Sequence, residues 1–589
     1  MLNSGEAAGL YKIRWVSPDD IHAQLERIAR SPAFARADRL QTFLRFVVEK
    51  TVAGRPHEIK ESAIALEVCG RDSSFDPKVD PIVRVDANRL RARLEAYYRA
   101  DGAHDPVRIA LPKGAYVPSI TPNVHARASA QGARTVAVLP FVSLGSPSDP
   151  SIGDGLAEEL IHQLSRAEGL RVIARTSAFQ YRGSGTDLRR LRTELGVDYA
   201  VEGSVRIAGD QMRVTAQLTG VEDQTVRWSA KYERRIDNVL SVQDDICRNI
   251  AVALEVHFGG VAIVPTRGRA QAHVEYLKGR YFWNRRTKDA LDESLEHYAR
   301  AIQFDDAYAP AYCGIADTLL VQALNEQVAA AEAMPRARAH ARRALELQPD
   351  APEALVSSGA ITAVYDWDWE ASDALFRRAI DMNPNFALAH YLFAVVNLAP
   401  RALWDDAYIA MDRAIELDPV SPVLYRDLGI LHYLRGQYGE AQDSFTHARR
   451  LDPGFHGTLF WSARCLAQQH RYAEAIQLLE ARRASSAPNT RVTAVLIHTL
   501  AAMGRQAEAR GVLATLQDSG PVPPLNMAIV HIGFGEYDAA LERMAVAVEE
   551  RAVPLYQAAV DPIYEPLRPF RSFRSLLRTM GLGPALTRT

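Results

Sequence analysis

Four arginines and an asparagine lie on one short stretch, Asp80 to Tyr98, with the sequence DPIVRVDANRLRARLEAYY. On a helix, Val83, Ala87, Leu90 and Leu94 fall on one apolar stripe. Arg84, Asn88 and Arg91 fall on a neighbouring stripe, and Arg89 and Arg93 on the other flank. One face is therefore suited to burial, and the rest offers cations and an amide to a partner. Guanidinium groups match phosphate and the O6/N7 edge of guanine, and an asparagine amide matches the N6/N7 edge of adenine. The stretch predicts a DNA-recognition helix. The plain alternative is a solvated basic face, since Asp86 and Glu95 share the helix.

Other chemistry is sparse. The four cysteines, Cys69, Cys247, Cys313 and Cys465, are scattered without a CxxC pair, which points to buried thiols in a reducing compartment and away from zinc or disulfides. Glu222-Asp223 and Asp244-Asp245 are acidic pairs with nothing to bring them to one site, and solvated carboxylates are expected there. Gly183-Ser-Gly185 lacks the Lys-Ser/Thr of a phosphate loop. HExxH, GxSxG and Cys/His arrangements do not occur. No catalytic residue, cofactor or metal is expected. The first residues, MLNSGEAAGLYKIRW, are not a signal peptide, and no run of about 18 apolar residues occurs. A cytoplasmic protein with no membrane partner is expected.

At 589 residues the chain exceeds a single core, and its net charge of −2 is near neutral. The window Ile21 to Ile120 differs, with 17 Lys and Arg against 13 Asp and Glu, a balance of +4. A small nucleic-acid module carried by larger neutral domains fits that pattern.

The elements around the arginine stretch would position it. Residues 1–17 read as a flexible lead-in. Ser17-Pro18-Asp19-Asp20 starts a helix, with Ser as cap, Pro in the first turn and acids at the positive end of the dipole. A second helix spans Asp38 to Val52, and a short one Ile59 to Val68. After the arginine stretch, Pro106 to Pro118 reads as two short strands joined around Lys113-Gly114. Helix, short helix, turn, long basic helix and hairpin follow the order of a winged helix-turn-helix. With Arg89-Leu90-Arg91 on the helix and Lys113-Gly114-Ala115-Tyr116 at the hairpin corner, residues 18–120 resemble the OmpR/PhoB-type effector domain. That resemblance implies Arg84, Asn88 and Arg91 on bases, and Arg89, Arg93 and Lys113 on phosphates. Two helices stand where that family has an N-terminal sheet, and no receiver domain is found ahead of them.

Thr121 to Ala133 is a polar linker. Residues 134–262 then predict an α/β domain: strands Arg134–Phe141 and Leu170–Ala174, helices Asp154–Ala167 and Asp187–Leu195, a meander Tyr199–Ile207, Gln211–Thr219 and Thr225–Tyr232, and a closing helix Ile236–Val256. AVLPF at Ala137 to Phe141, GDGLAEEL, and DYAVEGSVR at Asp198 to Arg206 resemble the TolB-like amino-terminal domain, which implies a non-enzymatic module.

Pro349, Pro384, Pro419, Pro453 and Pro488 recur at spacings of 35, 35, 34 and 35 residues, the period of tetratricopeptide (TPR) repeats. In the unit ending at Pro453, Gly429 predicts a close helix crossing and Phe445 the filling between repeats. Residues 268–589 therefore predict an all-α solenoid of roughly seven to eight helix pairs. The segment Ile563 to Phe573, with Leu576, Leu577 and Leu582, is expected to cap its apolar end. The fold class expected is multidomain α+β. The function expected is a one-component, bacterial-type transcriptional regulator, with double-stranded DNA at the head and a protein or peptide on the TPR surface, homo-oligomerisation left open. The alternatives are a TPR interaction scaffold that binds no DNA and an adaptor for a nucleotide cyclase acting in trans.

Overall fold

The computed structural model describes residues 18–587 except 36, 54, 56–57, 73–74, 76–79, 100, 103–104, 106, 112–115, 123–133, 145–149, 168, 183–187, 236–238, 255–266, 454, 456 and 485–488. The lead-in, the Lys113-Gly114 tip, the linker beyond Pro122, the Gly183-Ser-Gly185 turn and Pro488 thus lie outside the described residues. The chain divides into two compact units, Met1–Arg134 and Thr135–Thr589.

In the first unit, α1 (Pro18–Arg30), α2 (Asp38–Val52), α3 (Glu61–Glu67) and α4 (Ile82–Arg99) precede a hairpin of β1 (Val107–Ala110) and β2 (Ser119–Pro122). Asp80 starts α4: its carboxylate accepts the Ile82 N–H at 3.0 Å and meets Arg71 at 2.7 Å. Val83, Ala87, Leu90 and Leu94 are all buried, in one core with Phe43, Leu44, Val47 and Ile64. The hairpin differs from expectation. Its second strand lies beyond Pro118, with Val107 opposite Pro122 and Ile109 opposite Ile120. Pro112 and Pro118 have no N–H for a ladder, and Ile120 is the apolar residue that faces the buried Ile109.

The second unit opens with a mixed sheet ordered β5-β3-β6-β7-β8. Its strands are β3 (Arg134–Val138), β4 (Val142–Ser143, beside β6), β5 (Leu170–Val172), β6 (Tyr199–Ala208), β7 (Gln211–Gly220) and β8 (Val226–Arg235). β3 runs parallel to β6, and β6, β7 and β8 form the antiparallel meander. Helices Ser151–Leu164 and Val239–Ala253 pack on the sheet and on each other.

Among the described residues, eight helix pairs follow. The first joins Arg267–Arg285 to Lys288–Phe304, and the last joins Pro524–Phe534 to Tyr537–Glu549. The repeat prolines among the described residues sit in the turns that follow second helices, as in Trp369–Met382 before Pro384 and Trp404–Leu417 before Pro419. Gly429 does allow a close crossing: a Cβ there would lie 2.5 Å from the Phe445 ring.

Those same turns dock the α/β module. Asn383 Nδ2 donates to Ser165 Oγ at 2.9 Å, and Asp418 Oδ1 accepts the Ser177 N–H at 2.8 Å. Helix Ser151–Leu164 meets Arg267–Arg285 so closely that a Cβ on Gly155 would lie 2.6 Å from Leu277 Cβ. Module and solenoid therefore share one compact unit.

The carboxy-terminal segment does more than cover the last pair. Arg551 donates to the Tyr365 carbonyl at 2.8 Å, Trp369 Nε1 donates to the Met580 carbonyl at 2.7 Å, and Arg464 pairs with Asp561 at 2.6 Å. Asn526 also donates to Glu326 at 2.9 Å across 200 residues of sequence. The solenoid curls until early and late repeats touch, and the tail fills what would otherwise be an open inner face. No helix among the described residues is long and apolar enough to cross a membrane.

Candidate nucleic-acid interface

Helix α4 turns an outward stripe of Arg84, Val85, Asn88, Arg89, Ala92 and Ala96 away from the core. The spacing follows from burial: once Val83, Ala87, Leu90 and Leu94 face inward, positions one and two residues on face out. Two cations, an amide, one apolar Val85 and two small alanines share that surface. The alanines leave room for a close approach of the helix backbone. Val85, 40% exposed, is an apolar contact that the charge pattern did not single out. Its i, i+3 and i+4 spacing to Asn88 and Arg89 was the available signal.

The candidate residues are not equivalent. The Arg84 side chain is 55% exposed while touching Glu61 of α3 at 3.1 Å. Arg89 is exposed and stands 3.7 Å from Asp86. Arg91 is half-buried: its Nε donates to the Leu111 carbonyl at 3.0 Å and its Nη1 to Asn88 Oδ1 at 2.8 Å. Arg93 is also half-buried, and its guanidinium donates to the Ala33 carbonyl in the bend between α1 and α2. Lys113 lies outside the described residues. Arg84, Asn88, Arg89 and Arg91 thus share one side of α4, whereas Arg93 is spent on holding α4 to the unit's other helices.

Asp86 does not dilute the outward charge as its sequence position implied. It is buried, and Arg39 of α2 reaches both its oxygens, at 2.9 and 2.7 Å. The hairpin is fixed beside the helix by Tyr98, whose hydroxyl accepts the Ile109 N–H at 2.8 Å and donates to the Val107 carbonyl at 3.1 Å. Burial pushes that phenol up to about 12, so it stays protonated as donor and acceptor. The acidic pairs belong to the second unit and meet arginines there: Glu222 meets Arg192, Asp223 meets Arg227, and Asp245 meets Arg248.

Residues 132–249, which include the stretch compared above with TolB, match the family described as HilA/YgeH-like transcriptional regulator, second domain. Residues 432–492 match a tetratricopeptide repeat family. The chain is 41% identical over 123 residues, 21% of each protein, to "Putative adenylate cyclase 3" of Rhizobium meliloti. It is 22% identical over 380 residues, 63% of this chain and 68% of the relative, to "Transcriptional regulator HilA" of Salmonella typhi. A solved tetratricopeptide repeat protein from Parabacteroides merdae aligns at 15% identity and TM-score 0.33, over 45% of this chain and 98% of that one. The chain spans 21% and 18% of the lengths of the first two curated relatives it matches. By these matches the protein carries a HilA-like transcriptional-regulator domain and tetratricopeptide repeats.

Proposed function

We propose that the protein is a DNA-binding transcriptional regulator whose first unit is a winged helix that lays the outward stripe of α4 in the major groove. The observation that carries this reading is the stripe itself, Arg84, Val85, Asn88, Arg89 and Ala92, exposed on a helix whose opposite face is core. Asn88 and Arg91 read base edges from the side of the groove, Val85 meets a thymine methyl, and Arg84 and Arg89 engage guanine edges or phosphates. Arg93 sets the pitch of the helix. Lys113, which falls between β1 and β2 in sequence, takes the flanking phosphates. The match of residues 132–249 to a transcriptional-regulator domain supports this reading, and so does the relative named as a regulator. The TolB-like module and the repeats then serve partner sensing or assembly, in the cytoplasm and without catalysis.

Binding of the full chain to fragments selected from a genomic library tests the proposal. Affinity should fall by about 0.9 log unit per log unit of salt for each phosphate neutralised. Asn88→Ala should cost about 1–3 kcal/mol on the selected site alone, and Arg89→Ala should reduce the salt slope by about 1. If the folded chain retains no fragment at low salt, the stripe is a protein contact and the protein a scaffold. One observation favours the third reading, a cyclase adaptor: the 41% identity to a protein named as a putative adenylate cyclase. Stimulation of a purified cyclase by the full chain would support it.

A further inference from the structure

A cavity of about 660 Å3 opens between the α/β module and the first repeats, within the range of small-molecule sites. One residue in its wall is conspicuous. In the turns between paired helices the chain passes through the left-handed region, and Gly436, Gly504 and Gly535 take it at φ 79°, 88° and 75°. At the corresponding turn after Arg267–Arg285 the residue is Arg286, at φ 58°. That conformation is unfavourable for a residue with a Cβ.

Other non-glycine residues at such turns have visible uses. Glu326 accepts from Asn526 at 2.9 Å, and the Trp367 ring lies 5.0 Å beneath Arg551. Ala402 is buried, and His470 bonds Tyr472 at 2.8 Å. The Arg286 guanidinium lies 3.5 Å over the Trp283 ring. Among the described residues no carboxylate comes within ion-pair distance of it. Arg286 is exposed in the wall of the cavity, and desolvation by the protein around it brings its pKa down to about 10.

The surroundings of Arg286 are cationic. Arg175 and Arg280 both bind Glu158, at 3.0 and 2.9 Å, so two guanidiniums share one carboxylate beside the unpaired third. The opposing acid is Asp317, which accepts from Ser357 and whose pKa is raised by burial. Of the other carboxylates in the wall, Glu353 is held by His162 at 2.7 Å and Asp418 by the Ser177 N–H. Glu159 acts at the His273 and Tyr308 end of the cavity. Tyr391, half-buried, offers ring surface in the same wall, whereas Trp283 is buried with Arg280 4.5 Å and Arg286 3.5 Å from its ring centre.

We propose that this cavity binds an anionic aromatic small molecule, with its carboxylate or phosphate on Arg286 and its flat body against Tyr391. The ligand would gain a charge-assisted, forked hydrogen bond to a guanidinium that has no carboxylate at ion-pair distance among the described residues, and ring stacking on Tyr391. Such a site suits the effector of a regulator, but it stands whether or not α4 binds DNA.

Calorimetric titration of the full chain, in the absence of DNA, with 1-naphthoate beside 1-naphthamide and with AMP beside adenosine tests it. At least one anion should bind one-to-one, tenfold or more tighter than its neutral counterpart. Arg286→Gly, which keeps the left-handed turn, should abolish that preference, with the melting temperature confirming the fold. Naphthoate alone would identify the acid group as carboxylate, and AMP alone as phosphate. The proposal is overturned if neither anion binds at millimolar concentration, or if the preference survives in Arg286→Gly.

Discussion

Asp86 and Arg93 show how a basic helix divides its charges between partner and fold. Asp86 is buried inside the first unit, where Arg39 stands on both its oxygens. Arg39→Ala would leave that carboxylate buried and poorly paired, and should cost the first unit about 1–3 kcal/mol, read from its urea midpoint. An unchanged midpoint would show that water replaces the guanidinium without loss. Arg93 sends its guanidinium to the Ala33 carbonyl. Arg93→Ala should therefore lower the stability of that unit by about 1 kcal/mol and leave the salt slope of DNA binding unchanged, whereas Arg89→Ala should do the reverse. Equal effects of the two substitutions on the slope would return Arg93 to the phosphate contacts.

Among the elements, helix crossings and the joint between module and solenoid carry the stability. Gly429→Ala places a methyl 2.5 Å from the buried Phe445 ring, and should cost about 1–3 kcal/mol through forced repacking. His273, on the first solenoid helix, bonds Gln243 of the module at 2.9 Å and Tyr308 of the next turn at 2.6 Å. Burial lowers its pKa from 6.5 to about 4, so the folded chain holds it neutral where the unfolded chain already binds a proton. Its contribution is complete above pH 6.5 and is lost as pH falls toward 4, at up to about 1.4 kcal/mol per pH unit. His273→Gln should flatten that part of the stability profile, measured by denaturant unfolding between pH 7 and 4.5; an unaltered profile would mean that other groups set it.

For the molecule as a whole, the second unit is closed by its own tail. Arg464 and Asp561 are almost wholly buried, 3% and 5% exposed as side chains, and Arg464 also lies over Trp461 and Tyr433. Asp561→Ala should cost about 3–5 kcal/mol, because it leaves a buried guanidinium without its carboxylate. The tail should then become a site of limited proteolysis ahead of the repeats, and a cleavage pattern identical to wild type would show that closure does not depend on the pair. A peptide partner of the repeats must use a surface that this tail leaves open.

Local pattern determined much of this protein from the sequence alone. The 35-residue proline period located the solenoid, because each repeat is a short unit packed mainly on its neighbours. The i, i+3, i+4 stripe of Val83, Ala87, Leu90 and Leu94 fixed which side of α4 is core. Tertiary structure decided the remainder, since contacts between residues distant in sequence leave no periodic trace. It turned Asp86 inward to Arg39, set Arg93 on Ala33, exposed Val85, moved β2 beyond Pro118 and carried the tail through the repeats. It also left Arg286 with no carboxylate at ion-pair distance among the described residues, in a cavity whose wall joins residues as far apart in sequence as Arg175 and Arg280.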